Sequence, residues 1–211
     1  MKTIRFAAWV LAVLYLLVPK PGFPQFPSLP NNQVGLFMTA DGTGATGTTD
    51  IGVPVSVFLV LINPTDAENA DAPYATINAF ECMLNITGPA LFMLAEILSP
   101  TAVNEGDASD INQGFLEYIV SLGTSLEVIS GAATLISFQF MTVSPLPTVI
   151  SLSPTNDPSI PGEMVFQSVP GQLRTMHIDS ETPCGGYFCF NNCCGLPVDD
   201  ESFGSVKTLY R

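Results

Sequence analysis

The sequence predicts an all-β fold: a single antiparallel β-sandwich of about nine short strands, followed by a cysteine-rich tail. Three observations predict it. Segment after segment alternates apolar and polar side chains with a period of two. Proline, glycine or acidic turn sequences stand at nearly every break between those segments. No stretch holds a sustained helical period, and no internal repeat stands out.

Residues 1–20 open with Lys2 and Arg5 and continue into a 13-residue apolar run, FAAWVLAVLYLLV. This is the pattern of a secretory signal peptide. The run is shorter than the roughly 20 apolar residues a spanning helix needs, so no stable membrane span is expected once the leader is removed. A retained anchor is the weaker alternative, kept open because no small-x-small cleavage site follows. Residues 21–32 are proline-rich, with Pro21, Pro24, Pro27 and Pro30, and read as a stiff polyproline spacer.

Residues 33–40 (QVGLFMTA) start the strand series, and DGTGATGTTD supplies turns before the next strand. That loop lacks the Gly-Lys-Ser/Thr ending of a phosphate-binding loop. Residues 52–63 (GVPVSVFLVLIN) are the longest β-branched and aromatic run, with Val53, Val55, Val57, Leu59 and Leu61 on one face. Phe58, Val60 and Ile62 make the other face of its second half apolar as well. A sandwich strand normally wets one face, so the chain's own tail or loops are expected to cover it. Left bare, Phe58 and Val60 would be a candidate interface.

Residues 63–73 form an acidic loop, and residues 76–86 alternate with Phe80, Cys82, Leu84 and Ile86 on one face. Asn85-Ile86-Thr87 is a glycosylation sequon, of use only on an exposed strand in a host that reads it. Residues 90–98 (ALFMLAEIL) are read as a strand, a short apolar run being also compatible with a helical turn. Residues 104–110 (NEGDASD) make a second acidic loop. Residues 114–122 place Leu116, Tyr118, Val120 and Leu122 inward; residues 134–142 do the same with Ile136, Phe138 and Phe140. Residues 149–152, 163–169 and 173–179 complete the series between Pro145, Pro147, Pro154, Pro158, Pro161 and Pro170.

The strands carrying VGLF, VPVSVFLVLINP, INAFECMLNI and LFML, with the closing series behind them, resemble a cohesin-like or carbohydrate-binding-module-like sandwich of jelly-roll type. The resemblance spans residues 33–179, rests on strand order and hydrophobic pattern, and is shared with bacterial secreted proteins. It implies a binding module, docking a protein in cohesins proper. No residue matches a recognition motif closely enough to carry a role over. The Asp-x-Asn-x-Asp-Gly repeat of a dockerin is missing.

Residues 180–211 form the tail. Cys184, Cys189, Cys193 and Cys194 lie within 11 residues, and in an exported chain such clustering favours disulfides over metal. Their spacing is a poor match to the Cys-x-x-Cys pairs of a zinc site, so no metal is expected there. Cys82, on an apolar strand face, is expected to be a buried free thiol. The ending ESFGSVKTLYR joins bases to aromatic side chains and is either a sorting tag or a frayed terminus.

Charge narrows the partners. Between residues 21 and 206 stand one base, Arg174, and all nineteen acids, a formal charge of −18. Such a surface disfavours nucleic acid and anionic lipid. His177 is the only histidine, and no serine sits in a nucleophile elbow. The mature region has no tryptophan to stack on a sugar, since Trp9 lies in the leader. No cofactor is expected, with calcium the one ion the acidic loops could hold: Asp66, Glu68 and Asp71 in one, Glu105, Asp107 and Asp110 in the other. The expectation is therefore a secreted, non-catalytic binding, adhesion or structural module at the cell surface whose partner is a protein or a polysaccharide. The alternatives are a carbohydrate-binding module or, further off, a secreted glycoside hydrolase with paired carboxylates.

Overall fold

The structure is a computed structural model that describes residues 31–44, 46–47, 50–66, 72–89, 91–179 and 186–191. Its strands, in chain order, are β1 (Gln33–Phe37), β2 (Thr46–Gly47), β3 (Pro54–Ile62), β4 (Thr65–Asp66), β5 (Ala72–Pro73), β6 (Thr76–Thr87) and β7 (Leu91–Ile97). They continue as β8 (Ala102–Asn104), β9 (Phe115–Glu127), β10 (Ala132–Thr142), β11 (Thr148–Ser153), β12 (Met164–Val169), β13 (Gln172–Ile178) and β14 (Tyr187–Phe190). One 3-10 turn, Ile111–Gln113, is capped by Asp110, whose carboxylate accepts from the Asn112 amide.

Two layers enclose the core. The first runs β1-β3-β10-β7. In the second, β6 pairs with β9 along one edge, and β8 flanks β9. The other edge of β6 is shared: β11 takes residues 83–87 and β12 takes residues 79–81. Strand β13 joins the layers along one side, antiparallel to β12 and parallel to β1. The sheet is thus mixed, with a second parallel pairing between β14 and β2.

Every long strand expected from the alternation is present. The additional strands β2, β4, β5, β8 and β14 have two to four residues each, too few to show a period. Sequence alone ends the sandwich at Asp179, yet β14 pairs with β11 and buries Phe188 and Phe190 completely or nearly so. Burial of two bulky rings offsets much of the entropy lost in ordering this short segment, and pairing with β11 adds to it.

The core is filled by Val57, Leu59 and Leu61 of β3 and Phe138 and Phe140 of β10. Facing them are Phe80, Cys82 and Leu84 of β6 and Leu116, Tyr118 and Val120 of β9. Each such large side chain contributes about 1.5–3 kcal/mol on burial. Tyr118 meets Phe138 edge-on at 6.0 Å, while Phe138 and Phe140 stack at 5.2 Å. Bulges reset the alternation where it would fail: one between Ile77 and Ala79 lets both Ile77 and Phe80 face inward. Val53, expected on the buried face of β3, is half exposed because a turn closed by its amide on the Asp50 carbonyl precedes the strand.

Candidate interface

Strand register sets out a three-strand surface on the outside of the first layer. Pro54, Met141 and Phe92 form one row across β3, β10 and β7. Ser56, Gln139 and Ala95 form the next, and Phe58, Ser137 and Ile97 the third. None of these nine side chains is charged. Phe92 is 49% exposed and Ile97 64%, and Phe58 is half-buried. A bulge in β7 opposite Gln139 and Phe140 adds Leu94, also exposed. Strand β7 ends the layer: among the described residues no strand pairs with its outer edge.

The same bulge turns Glu96 inward. Its carboxylate accepts a 2.9 Å hydrogen bond from the Tyr118 hydroxyl, tying the edge strand β7 to β9 across the core. Burial pushes the Glu96 carboxyl above the ordinary range, and the Tyr118 bond only partly offsets it. Burial, with the Glu96 charge beside it, also pushes the Tyr118 phenol up.

At the opposite end of β3 the surface is roofed by residues 38–44. Val60 is fully buried in a small cluster with Phe37, flanked by Phe58, Ile62 and Ala132. Gly42 adopts φ +81° there, and a Cβ on it would stand 2.9 Å from the Ile62 Cδ1, so only glycine lets the loop lie this close. The Thr134 hydroxyl of β10 anchors the loop by donating to the Ala40 carbonyl at 3.1 Å. Of the two residues singled out on this face of β3, Val60 is covered by the chain's own loop and Phe58 remains on the surface.

Beside this roof opens a cleft of about 590 Å³, lined by Ala40, Asp41, Leu126, Glu127, Ile129 and Thr134 among others. The Asp41 Oδ1 accepts from the Thr39 hydroxyl at 2.6 Å, the Thr43 hydroxyl at 2.9 Å and the Thr43 amide at 3.2 Å. These bonds, the Thr39 hydroxyl first, hold the Asp41 carboxyl below the usual carboxylate range.

The remaining sequence-predicted residues are scattered. Cys82 is a buried free thiol, pushed up to about 12 by burial. Cys189 is buried on β14, whereas Cys184, Cys193 and Cys194 lie outside the described residues. Asp66 is committed to a 2.8 Å ion pair with Arg174, both nearly buried. Glu68 and Asp71 lie outside the described residues. Among the described residues no three His, Cys, Asp or Glu side chains gather as a metal site. His177 is exposed near the end of β13. Asn85 sits within β6 and donates to the Ser153 hydroxyl at 2.8 Å.

On the outside of the second layer, the chain straps its own surface. Residues 154–162 reach over it, with the Asn156 amide donating to Glu117 at 2.7 Å and the Ser159 amide to Glu81 at 2.9 Å. Sequence reasoning missed Phe92 and Ile97 as surface residues. The signal was present, because residues 90–98 are apolar at both odd and even positions.

No family model and no curated protein matches the chain. Solved structures do. A type II cohesin domain from the cellulosome of Acetivibrio cellulolyticus aligns with a TM-score of 0.51 at 12% identity, over 77% of this chain and 96% of that one. A type I cohesin–dockerin complex from Clostridium thermocellum aligns at 0.46 and 7% identity, over 70% and 93%. The sixth cohesin of an Acetivibrio cellulolyticus scaffoldin, in complex with a dockerin, aligns at 0.45 and 12% identity, over 70% and 94%. At such identities the likeness is one of fold, and the fold of this chain is a cohesin-like β-sandwich.

Proposed function

We propose that this chain is a secreted, non-catalytic protein-docking module displayed at or beyond the cell surface, and that the outer face of β3, β10 and β7 is its docking face. One observation carries the proposal: in a region with a formal charge of −18, nine side chains over three adjacent strands are uncharged, with Phe92 and Ile97 open to solvent. An exposed apolar patch of this kind is suited to a protein partner. The cohesin-like fold agrees with it, since two of the similar structures are complexes with dockerins.

Export is supported by the apolar leader and by Cys189, which is buried and disulfide-bonded. Absence of catalysis is supported by the exposure of the single histidine and by the burial of the Cys82 thiol, which holds it protonated. No helix among the described residues is long and apolar enough to cross a membrane.

The test places a photo-crosslinking residue at Phe92 and, as a control, at Tyr187, which is equally exposed on β14. In a cell-surface extract, crosslinking to a protein at position 92 alone is expected. Excess wild-type chain should compete it away, and Phe92→Ser with Ile97→Ser should abolish it while the melting temperature holds. Equal crosslinking at both positions, or a chain that binds only a glycan array, would overturn the docking face.

A further inference from the structure

We propose that the cleft at the end of this face receives a lysine or arginine side chain of the docked protein. The inference rests on the docking reading and names what the partner must bring. Thr134 and Ala132 of β10 line the cleft, and they pair with Val60 and Ile62 of β3, so it lies on the same two strands as the docking face, beyond the roofing loop and the bulge between Thr134 and Ile136. Leu126 and Ile129, the latter 68% exposed, give it apolar walls suited to an aliphatic stem.

Its charged groups are both carboxylates, Asp41 and Glu127. Thr39 and Thr43 take up Oδ1 of Asp41, leaving Oδ2 for a ligand, and they keep the carboxyl ionised. Ser125 and Ser130 add hydroxyl acceptors at the rim. The chain supplies no cation of its own from the domain: Arg174, the one base between residues 21 and 206, is paired with Asp66. An open cleft with apolar walls and two carboxylates fits a cation-tipped chain and repels phosphate, sulfate or a carboxylate.

The probes are N-acetyl-arginine methylamide and N-acetyl-lysine methylamide, with the uncharged citrulline analogue as control, titrated into the labelled full chain and followed by amide chemical shifts. Saturable shifts confined to residues 40–43 and 125–134 are expected for the two cations. In Asp41→Asn with Glu127→Gln the affinity should fall about tenfold, a size set by two solvent-facing pairs, and it should also fall with added salt. Equal binding of the citrulline analogue, unchanged affinity in the double variant, or no saturable shift would overturn the proposal. So would binding that emerges only after Lys207→Ala with Arg211→Ala, since the chain's own terminus would then be the occupant. The cleft is probed here without the partner, so its failure leaves the crosslinking result at Phe92 standing, and failure at Phe92 leaves the cleft result standing.

Discussion

Glu96 ties an edge strand to the core at a cost in desolvation. It hangs from the edge strand β7 into the core to accept the Tyr118 hydroxyl. Because burial raises its folded pKa above the ordinary glutamate value, the folded state retains, at pH between the unfolded and folded values, a proton that the unfolded chain has lost. Stability from this group is fully present below the unfolded pKa and is lost as pH rises through the folded one. Glu96→Gln keeps an oxygen for Tyr118 and removes the charge. The variant should match the wild type in urea unfolding at pH 4 and exceed it at pH 7 by less than about 1 kcal/mol, since the group is only partly buried. A variant weaker than wild type at pH 7 would mean that the charged hydrogen bond outweighs burial.

At the scale of elements, β14 shows how a segment with no readable period can be structural. Phe190 is fully buried, with its ring 5.0 Å from Phe188 and 6.2 Å from Phe140 of β10. Phe190→Ala should therefore cost about 3–5 kcal/mol in denaturant unfolding. Tyr187→Ala, half exposed on the same strand, should cost under about 1 kcal/mol. Equal costs would show β14 to be a loose appendage. Strands β3, β6, β9 and β10 were legible because seven or more residues of alternation leave little choice of face. YFCF was not, since four residues among glycines and cysteines carry no phase. The docking face was half legible: Phe58 stood out within one strand, but Phe92 and Ile97 join it only through the register of β10. The cleft was not legible at all, because residues 40–41, 125–130 and 132–134 meet only in the fold.

Over the whole molecule the acids far outnumber the bases. A formal charge of −13 for the chain puts self-repulsion into the compact state, which salt relieves. Raising sodium chloride from about 10 mM to 0.5 M should lift the melting temperature by about 2–4 °C, the shift expected from roughly 1 kcal/mol in a domain this size. Calcium should do no more than magnesium at equal concentration. Asp66 is held by Arg174, Asp107 by the Ser109 hydroxyl at 2.8 Å, and Asp110 by the Asn112 amide at 2.9 Å. An ion would have to displace these bonds before finding a set of oxygens. The measurement is a pair of thermal melts in calcium and magnesium chloride at a few millimolar. Coincident curves leave the acidic loops as solvated charge, free to steer a basic partner toward the uncharged face of β3, β10 and β7. A calcium curve several degrees higher would instead make them a metal site and shift the electrostatics of the domain toward neutrality.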